Sequence, residues 1–130
     1  MTGASRGIGA AIALALAEAG AASGVNYHQR ATDAEAVAAK IRVRGRKTLT
    51  VGADVSRREA VAAMIEHLSG EFGPIDILVN DAGIGIVRGV DDLTEDLFDL
   101  TIAVNLKSAF LCTQAVLPGC GNANGAASSI

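Results

Sequence analysis

Apolar and polar positions along this chain change period several times, and each change marks an element. Ile8, Ile12, Leu16 and Ala19 recur at intervals of four, four and three, which places them on one face of a helix that Gly20 ends. Residues 22–27 (ASGVNY) and 48–53 (TLTVGA) predict short strands. Between them Ala34, Val37, Ala38 and Ile41 form a second helical stripe, closed by Gly45, with Thr32 and Glu35 at capping-box spacing ahead of it. Ser56 and Glu59 repeat that spacing before Val61, Met64, Ile65, Leu68 and Phe72, and Gly73-Pro74 stops the third helix. Residues 75–80 (IDILVN) carry an apolar run of the kind buried on both faces of a parallel sheet. A glycine-rich loop then leads to a last long helix over residues 95–117.

Helix and strand alternating at this pitch predict βαβ units with right-handed crossovers, and so an α/β fold of the Rossmann type with a doubly wound parallel sheet. No internal repeat or linker divides it. The chain opens on a loop motif that should follow a strand, yet only Met1 stands before it. Composition narrows the class. The 130 residues are 50% hydrophobic and 19% charged, too apolar for a disordered chain and short enough for one domain. A net charge of −3 argues against nucleic acid as a partner, since phosphate neutralisation needs a basic face. No apolar run reaches the ~20 residues that cross a bilayer, and no secretory signal opens the chain. Cys112 and Cys120 form no CxxC pair and no zinc set with His28 and His67. A cytoplasmic protein without membrane or metal is expected. With aromatics at 3%, its core must be built from Val, Ile, Leu and many Ala, which suits helices packed closely on a sheet.

The chemistry lies first in Thr2-Gly3-Ala4-Ser5-Arg6-Gly7-Ile8-Gly9, just ahead of the first helix. Glycines at 3, 7 and 9 permit a tight turn and a backbone close enough to touch a pyrophosphate, and the helix N-terminus behind them favours an anion. TGASRGIG resembles the TGxxxGxG signature of the short-chain dehydrogenase/reductase family. Asn80-Asp81-Ala82-Gly83 is similar to that family's NNAG motif, Asp54-Val55 stands where an adenine-contacting Asp follows the third strand, and Asn105 stands where a catalytic Asn lies in the long helix. These four motifs cover residues 1–119, and in detail the chain resembles bacterial 3-oxoacyl-[acyl-carrier-protein] reductases and their relatives.

The resemblance implies that Gly3, Ser5, Arg6, Gly7, Ile8 and Gly9 hold a dinucleotide with Tyr27, Arg30, Asp54, Val55, Asn80, Ala82 and Gly83. Asp81 replaces an Asn of the motif and loses its amide donors. NAD-specific sites of this fold end the second strand with an acid that holds the ribose 2′-OH. Here the stretch is Asn26-Tyr27-His28-Gln29-Arg30, without a carboxylate, and Arg6 and Arg30 favour a 2′-phosphate, so NADP(H) is the expected cofactor. The basic cluster Arg42, Arg44, Arg46 and Lys47 is assigned instead to a helix C-terminus, where it complements the dipole. Asn105 shares a helical stripe with Phe98, Ile102, Leu106, Ala109 and Phe110, so its amide is expected on a buried apolar face, in need of partners. Within the family that Asn interrupts the helix and holds a water in a proton relay. The implied reaction is NADPH-dependent reduction of a carbonyl, a 3-oxoacyl thioester first, to a secondary alcohol. A sugar or polyol dehydrogenase and a non-catalytic dinucleotide-binding fragment are the alternatives. Family members commonly form tetramers through their long helices.

The catalytic Tyr and Lys of the family are not recognisable here: the only Tyr is Tyr27, and no Tyr-x-x-x-Lys occurs. Residues 1–119 are expected to form a partial Rossmann domain lacking its first strand, which belongs between the second and fourth, and everything from the fifth strand onward. Residues 120–130 (CGNANGAASSI) have neither helical nor strand character and are expected to be an aberrant tail, read in a shifted frame after the loss of one base. These 130 residues alone are therefore expected to be inactive.

Overall fold

The computed structural model describes residues 1–120; the expectations for residues 121–130 lie outside the described residues. In chain order the elements are α1 (Gly7–Glu18), β1 (Ser23–Tyr27), α2 (Ala31–Val43), β2 (Thr48–Gly52), α3 (Arg58–Phe72), a 3-10 turn (Val90–Asp92), α4 (Glu95–Ile102), a π-helical turn (Ala103–Lys107) and α5 (Ser108–Cys120). The fold is α/β. β1 and β2 run parallel, from Ser23 opposite Thr48 to Tyr27 opposite Gly52, with α2 as the crossover that parallel neighbours require.

The stripes of α2 and α3 face inward as their periods predict: Ala34, Val37, Ala38 and Ile41 are buried on α2, and Val61, Met64 and Leu68 on α3. Helix α1 departs from expectation. It turns Gly9, Ala13 and Ala17 inward, while Ile8 is 72% exposed and Ala19 is exposed. Ala4, Ala13, Ala17 and Val25 pack in one cluster with Ile41, so α1 approaches where only small side chains fit; closeness, not side-chain bulk, selects its inner face.

Neither expected capping box forms. Helix α2 starts after Arg30, which leaves Thr32 inside its first turn, and α3 starts after Arg57 with no side-chain cap. The Ser56 hydroxyl and N–H instead donate to Asp54 Oδ1, at 2.7 and 3.0 Å, so the upstream acid engages the serine.

Residues 75–80 do not form the expected strand: they carry no ladder among the described residues. The reason lies in what stands beside them. The Thr2 N–H donates to the Val79 carbonyl at 3.0 Å, while on the other side the Asn26 N–H donates to the Met1 carbonyl at 3.1 Å and the Ala4 N–H to the Asn26 carbonyl at 2.9 Å. Met1 and Thr2 thus lie between β1 and residues 75–80, and two residues bond both flanks without the length a ladder needs.

The last helix begins at Thr94, whose hydroxyl accepts from the Leu97 N–H at 3.4 Å, with Glu95 and Asp96 in the first turn where the helix dipole favours them. It runs to Cys120, broken in register by the π turn. Contrary to the expectation of no such run, Glu95–Gly119 is long and apolar enough to cross a membrane by length and composition, with mean hydropathy 1.4. Its inner face is nevertheless packed on protein: Leu111 and Cys112 join Val55, Val61, Met64 and Leu68 in a second core cluster beneath α3.

Candidate functional site

The glycine loop lies where residues 1–6 leave the flank of β1 and turn into α1. Gly3 and Gly7 have φ of +64° and +57°, the left-handed region that favours glycine. A Cβ at Gly3 would lie 2.8 Å from Ala82 Cα, and one at Gly9 would lie 2.7 Å from both the Gly3 carbonyl oxygen and an Asp81 carboxylate oxygen. These two glycines let the loop press against residues 81 and 82. Gly7 differs: nothing lies within 4 Å of where its Cβ would be, and no side chain caps α1. The open space therefore stands in front of uncapped helix amides, an arrangement suited to an anion.

Two side chains fix the loop after residue 79 against this turn. The Thr2 hydroxyl accepts from the N–H groups of Asp81 and Ala82, each at 3.1 Å, and lies 3.4 Å from the Val79 carbonyl, to which it donates. From the π turn, Asn105 Nδ2 donates to the Ile84 carbonyl at 2.9 Å while Oδ1 accepts from the Ile84 N–H at 2.8 Å. The expectation of a buried Asn105 fails. Asn105 is exposed, as are Phe98, Ile102, Leu106 and Phe110, and its partners are loop backbone rather than core. The buried face is turned away from it, through Ser108, Leu111 and Cys112. Asn80 Nδ2 donates to the Thr113 hydroxyl at 3.4 Å, which ties the same loop to α5, and Asn80 Oδ1 is buried without a hydrogen-bond partner.

The facing wall comes from the ends of β1 and β2. Burial pushes the Asp54 carboxyl up, but the Ser56 hydroxyl and N–H, together with His28 and Arg57, outweigh it and hold the group below its ordinary value. It is therefore an anion at neutral pH. Between the walls lies a cleft of about 600 Å³.

Of the residues singled out from sequence, Gly3, Ser5, Arg6, Gly7, Ile8, Arg30, Asp54, Val55, Ala82 and Gly83 line this cleft. Gly9 lies behind it against Asp81, and Asn80 and Asn105 support its floor from the far side of the 80–84 loop. Tyr27 is not brought to it; its ring lies over Gly52, whose Cβ would meet it at 3.2 Å. Arg30 pairs with Asp33 at 3.3 Å, both exposed. Sequence reasoning passed over Asn26, Gln29, Ser56, Leu100 and Val104, all in the lining. For Asn26 a signal was present, since a carboxamide beside Val25 at the end of an apolar strand is a polar group entering buried surroundings.

Comparison with known proteins decides the family. A model of the short chain dehydrogenase family matches residues 1–127. The chain belongs to the short-chain dehydrogenase family. A 3-oxoacyl-[acyl-carrier-protein] reductase of Staphylococcus epidermidis is 42% identical over 118 residues, which are 91% of this chain and 48% of that protein. A sepiapterin reductase of Chlorobaculum tepidum is 39% identical over 122 residues, 89% of this chain and 50% of that protein. Among solved structures, a short chain dehydrogenase from Burkholderia cenocepacia in complex with NADP superposes with a TM-score of 0.93 at 41% identity, covering 98% of this chain and 52% of that one. The chain thus spans about half the length of the relatives it matches. Within that half, the short-chain dehydrogenase glycine loop and the Asn80-Asp81-Ala82-Gly83 loop meet at Thr2 and Gly3.

Proposed function

We propose that the cleft binds NADP(H), and that this chain is the cofactor-binding half of an enzyme that reduces a carbonyl, a 3-oxoacyl thioester first, to a secondary alcohol. One observation carries the reading: the glycine loop and the loop at residues 80–84 meet beside the ends of the parallel strands β1 and β2, with open space at Gly7 in front of the uncapped start of α1. Ligands of open α/β sheets lie at such strand ends. In this reading the amides around Gly3, Ser5, Arg6, Gly7, Ile8 and Gly9 hold the diphosphate, Asp54 and Val55 bound the adenine, and Ala82 and Gly83 approach the nicotinamide side. The contribution of β1 and its following loop to the lining is Asn26, His28, Gln29 and Arg30, with no carboxylate to repel a 2′-phosphate; Arg6 and Arg30 supply positive charge there.

The bound cofactor supplies a hydride. The chain's own residues do the positioning: Asn105 grips Ile84, Thr2 grips residues 81 and 82, and the loop facing the substrate side is held from both ends. Asn105 is the one group here assigned to the proton relay; the Tyr acid/base and its Lys partner do not occur in these 130 residues. A second reading, binding without turnover, rests on that same fact. The names of the Staphylococcus and Chlorobaculum relatives favour reduction, and the Burkholderia complex favours NADP. Exposed Phe98, Ile102, Leu106 and Phe110, on one stripe of the long helix, support assembly of the enzyme through that helix.

Fluorescence titration with NADPH and NADH tests the cofactor. NADPH is expected to bind more tightly, and Arg30→Glu to weaken NADPH by roughly tenfold while leaving NADH nearly unchanged, the cost of about one charge-assisted contact. Failure of both nucleotides to bind would overturn the reading. Oxidation of NADPH by an acetoacetyl thioester then separates an enzyme from a binder.

A further inference from the structure

We infer that Asn26 is a positioning residue that sets the separation between the diphosphate cradle and the adenine wall; the inference rests on the dinucleotide reading of the cleft. Asn26 is the next-to-last residue of β1 and is 3% exposed, yet it lines the cleft. Its Oδ1 accepts from the Gly3 N–H at 3.3 Å. Its Nδ2 is shared among three carbonyls, those of Tyr27 at 3.2 Å, Val51 at 3.2 Å and Ala53 at 3.1 Å. One buried carboxamide therefore touches the first glycine of the loop on one side and the end of β2 on the other. Ala53 leads directly into Asp54. Among the described residues no other side-chain hydrogen bond reaches from the glycine loop across β1 to this wall.

The residue type follows from the surroundings. The site asks for an acceptor on one edge and two N–H donors on the other within a single flat group, and carboxamides alone offer both. A carboxylate of the same shape would set oxygen against three carbonyls. An apolar isostere would take the acceptor from the Gly3 N–H and the carboxamide donor from the Val51 and Ala53 carbonyls, whereas the Tyr27 carbonyl would keep the Ala53 N–H. The loop and the wall would then settle independently, and a ligand that must touch both would lose the geometry prepared for it.

A ligand that touches both walls is distinguished from one that touches a single wall. NADPH spans the cleft, whereas adenosine 2′,5′-bisphosphate engages only the adenine side. In Asn26→Leu and Asn26→Ser the dissociation constant for NADPH is expected to rise at least about tenfold and that for the bisphosphate by less than about threefold. Equal weakening of both ligands, or no weakening of either, would overturn the proposal, because a residue that merely supports the fold moves both alike. A partly unfolded sample lowers the number of sites and leaves the ratio of the two constants intact; Asn26→Ser, which keeps a hydroxyl donor, carries the test where the leucine variant fails to fold. Should the unaltered chain bind neither ligand, the dinucleotide reading itself fails, an outcome separate from equal weakening in the variants.

Discussion

Residues 7–72 and residues 73–120 have similar shares of apolar sequence and treat them differently. Of the twelve large hydrophobic residues left exposed among the described residues, only Ile8 and Val43 lie in the first region, and Ile8 faces the cleft; the others run from Ile77 to Leu117. The first region closes on itself because each strand has its crossover helix beside it, and small residues on α1 let the layers approach. In the second, residues 75–80 have Thr2 rather than a full strand beside them, and α4 with α5 packs along a single side. Sequence-adjacent pairing is thus enough to build a core, whereas the long helix keeps an apolar surface that none of the described residues covers. The cleft forms at the seam between the two.

The largest expected effect tests the contrast directly. Ile41 is fully buried on α2 and Leu106 is 64% exposed on the π turn. Ile41→Ala should lower stability by about 2–5 kcal/mol, and Leu106→Ala by less than about 0.5 kcal/mol, read from urea unfolding midpoints at unchanged m. Comparable losses from the two would break the comparison, by showing that the stripe on the long helix is covered in solution.

What could be read in advance divides along the same seam. The stripes of α2 and α3 were legible because local period and burial coincide there, down to Ala34, Val37, Ala38 and Ile41. The face of α1 was not, since bulk suggested Ile8, Ile12 and Leu16 while proximity chose Gly9, Ala13 and Ala17. Period likewise put Asn105 on an apolar face correctly, but whether that face is buried depends on what packs against it, which no helical stripe encodes. Residues 75–80 have the composition of a strand; a ladder is a property of two segments, and the neighbour here is two residues long. At the cleft, the motif residues were visible from spacing. Thr2 and Asn26 were not given roles, because their hydrogen bonds join segments up to 80 residues apart.

Next in size is the hinge of that seam. Thr2→Val removes the hydroxyl that accepts from Asp81 and Ala82 while keeping its volume, and it should lower stability by about 1–3 kcal/mol. Amide hydrogen exchange gives the sharper reading. Protection at residues 81 and 82 should fall by roughly tenfold or more, while amides in β1 and β2 fall only as far as global stability does. Thr2→Ser should recover most of the loss. A uniform fall across both regions would mean that they open as one unit.

The smallest effect shows where the seam runs within the long helix. Cys112 lies on the inner face of α5, fully buried in the core cluster that it shares with α3, and burial raises its thiol from 9.0 to about 11. A thiol whose folded pKa exceeds its unfolded one stabilises the fold below the unfolded value, and the contribution is lost as pH climbs from 9.0 toward about 11, because only the unfolded chain yields a thiolate in that window. The loss should be about 1 kcal/mol near pH 9.5 and negligible at pH 7. Cys112→Ala lowers stability at every pH through its cavity but should show a shallower decline between pH 9 and 11, so the difference in slope isolates the thiol. Peptide mapping after alkylation at pH 8 should find Cys112 modified only as fast as the chain unfolds. Rapid modification and parallel slopes would place the inner face of α5 with the loosely packed region, and the seam would then lie between α3 and α5 rather than along the length of the helix.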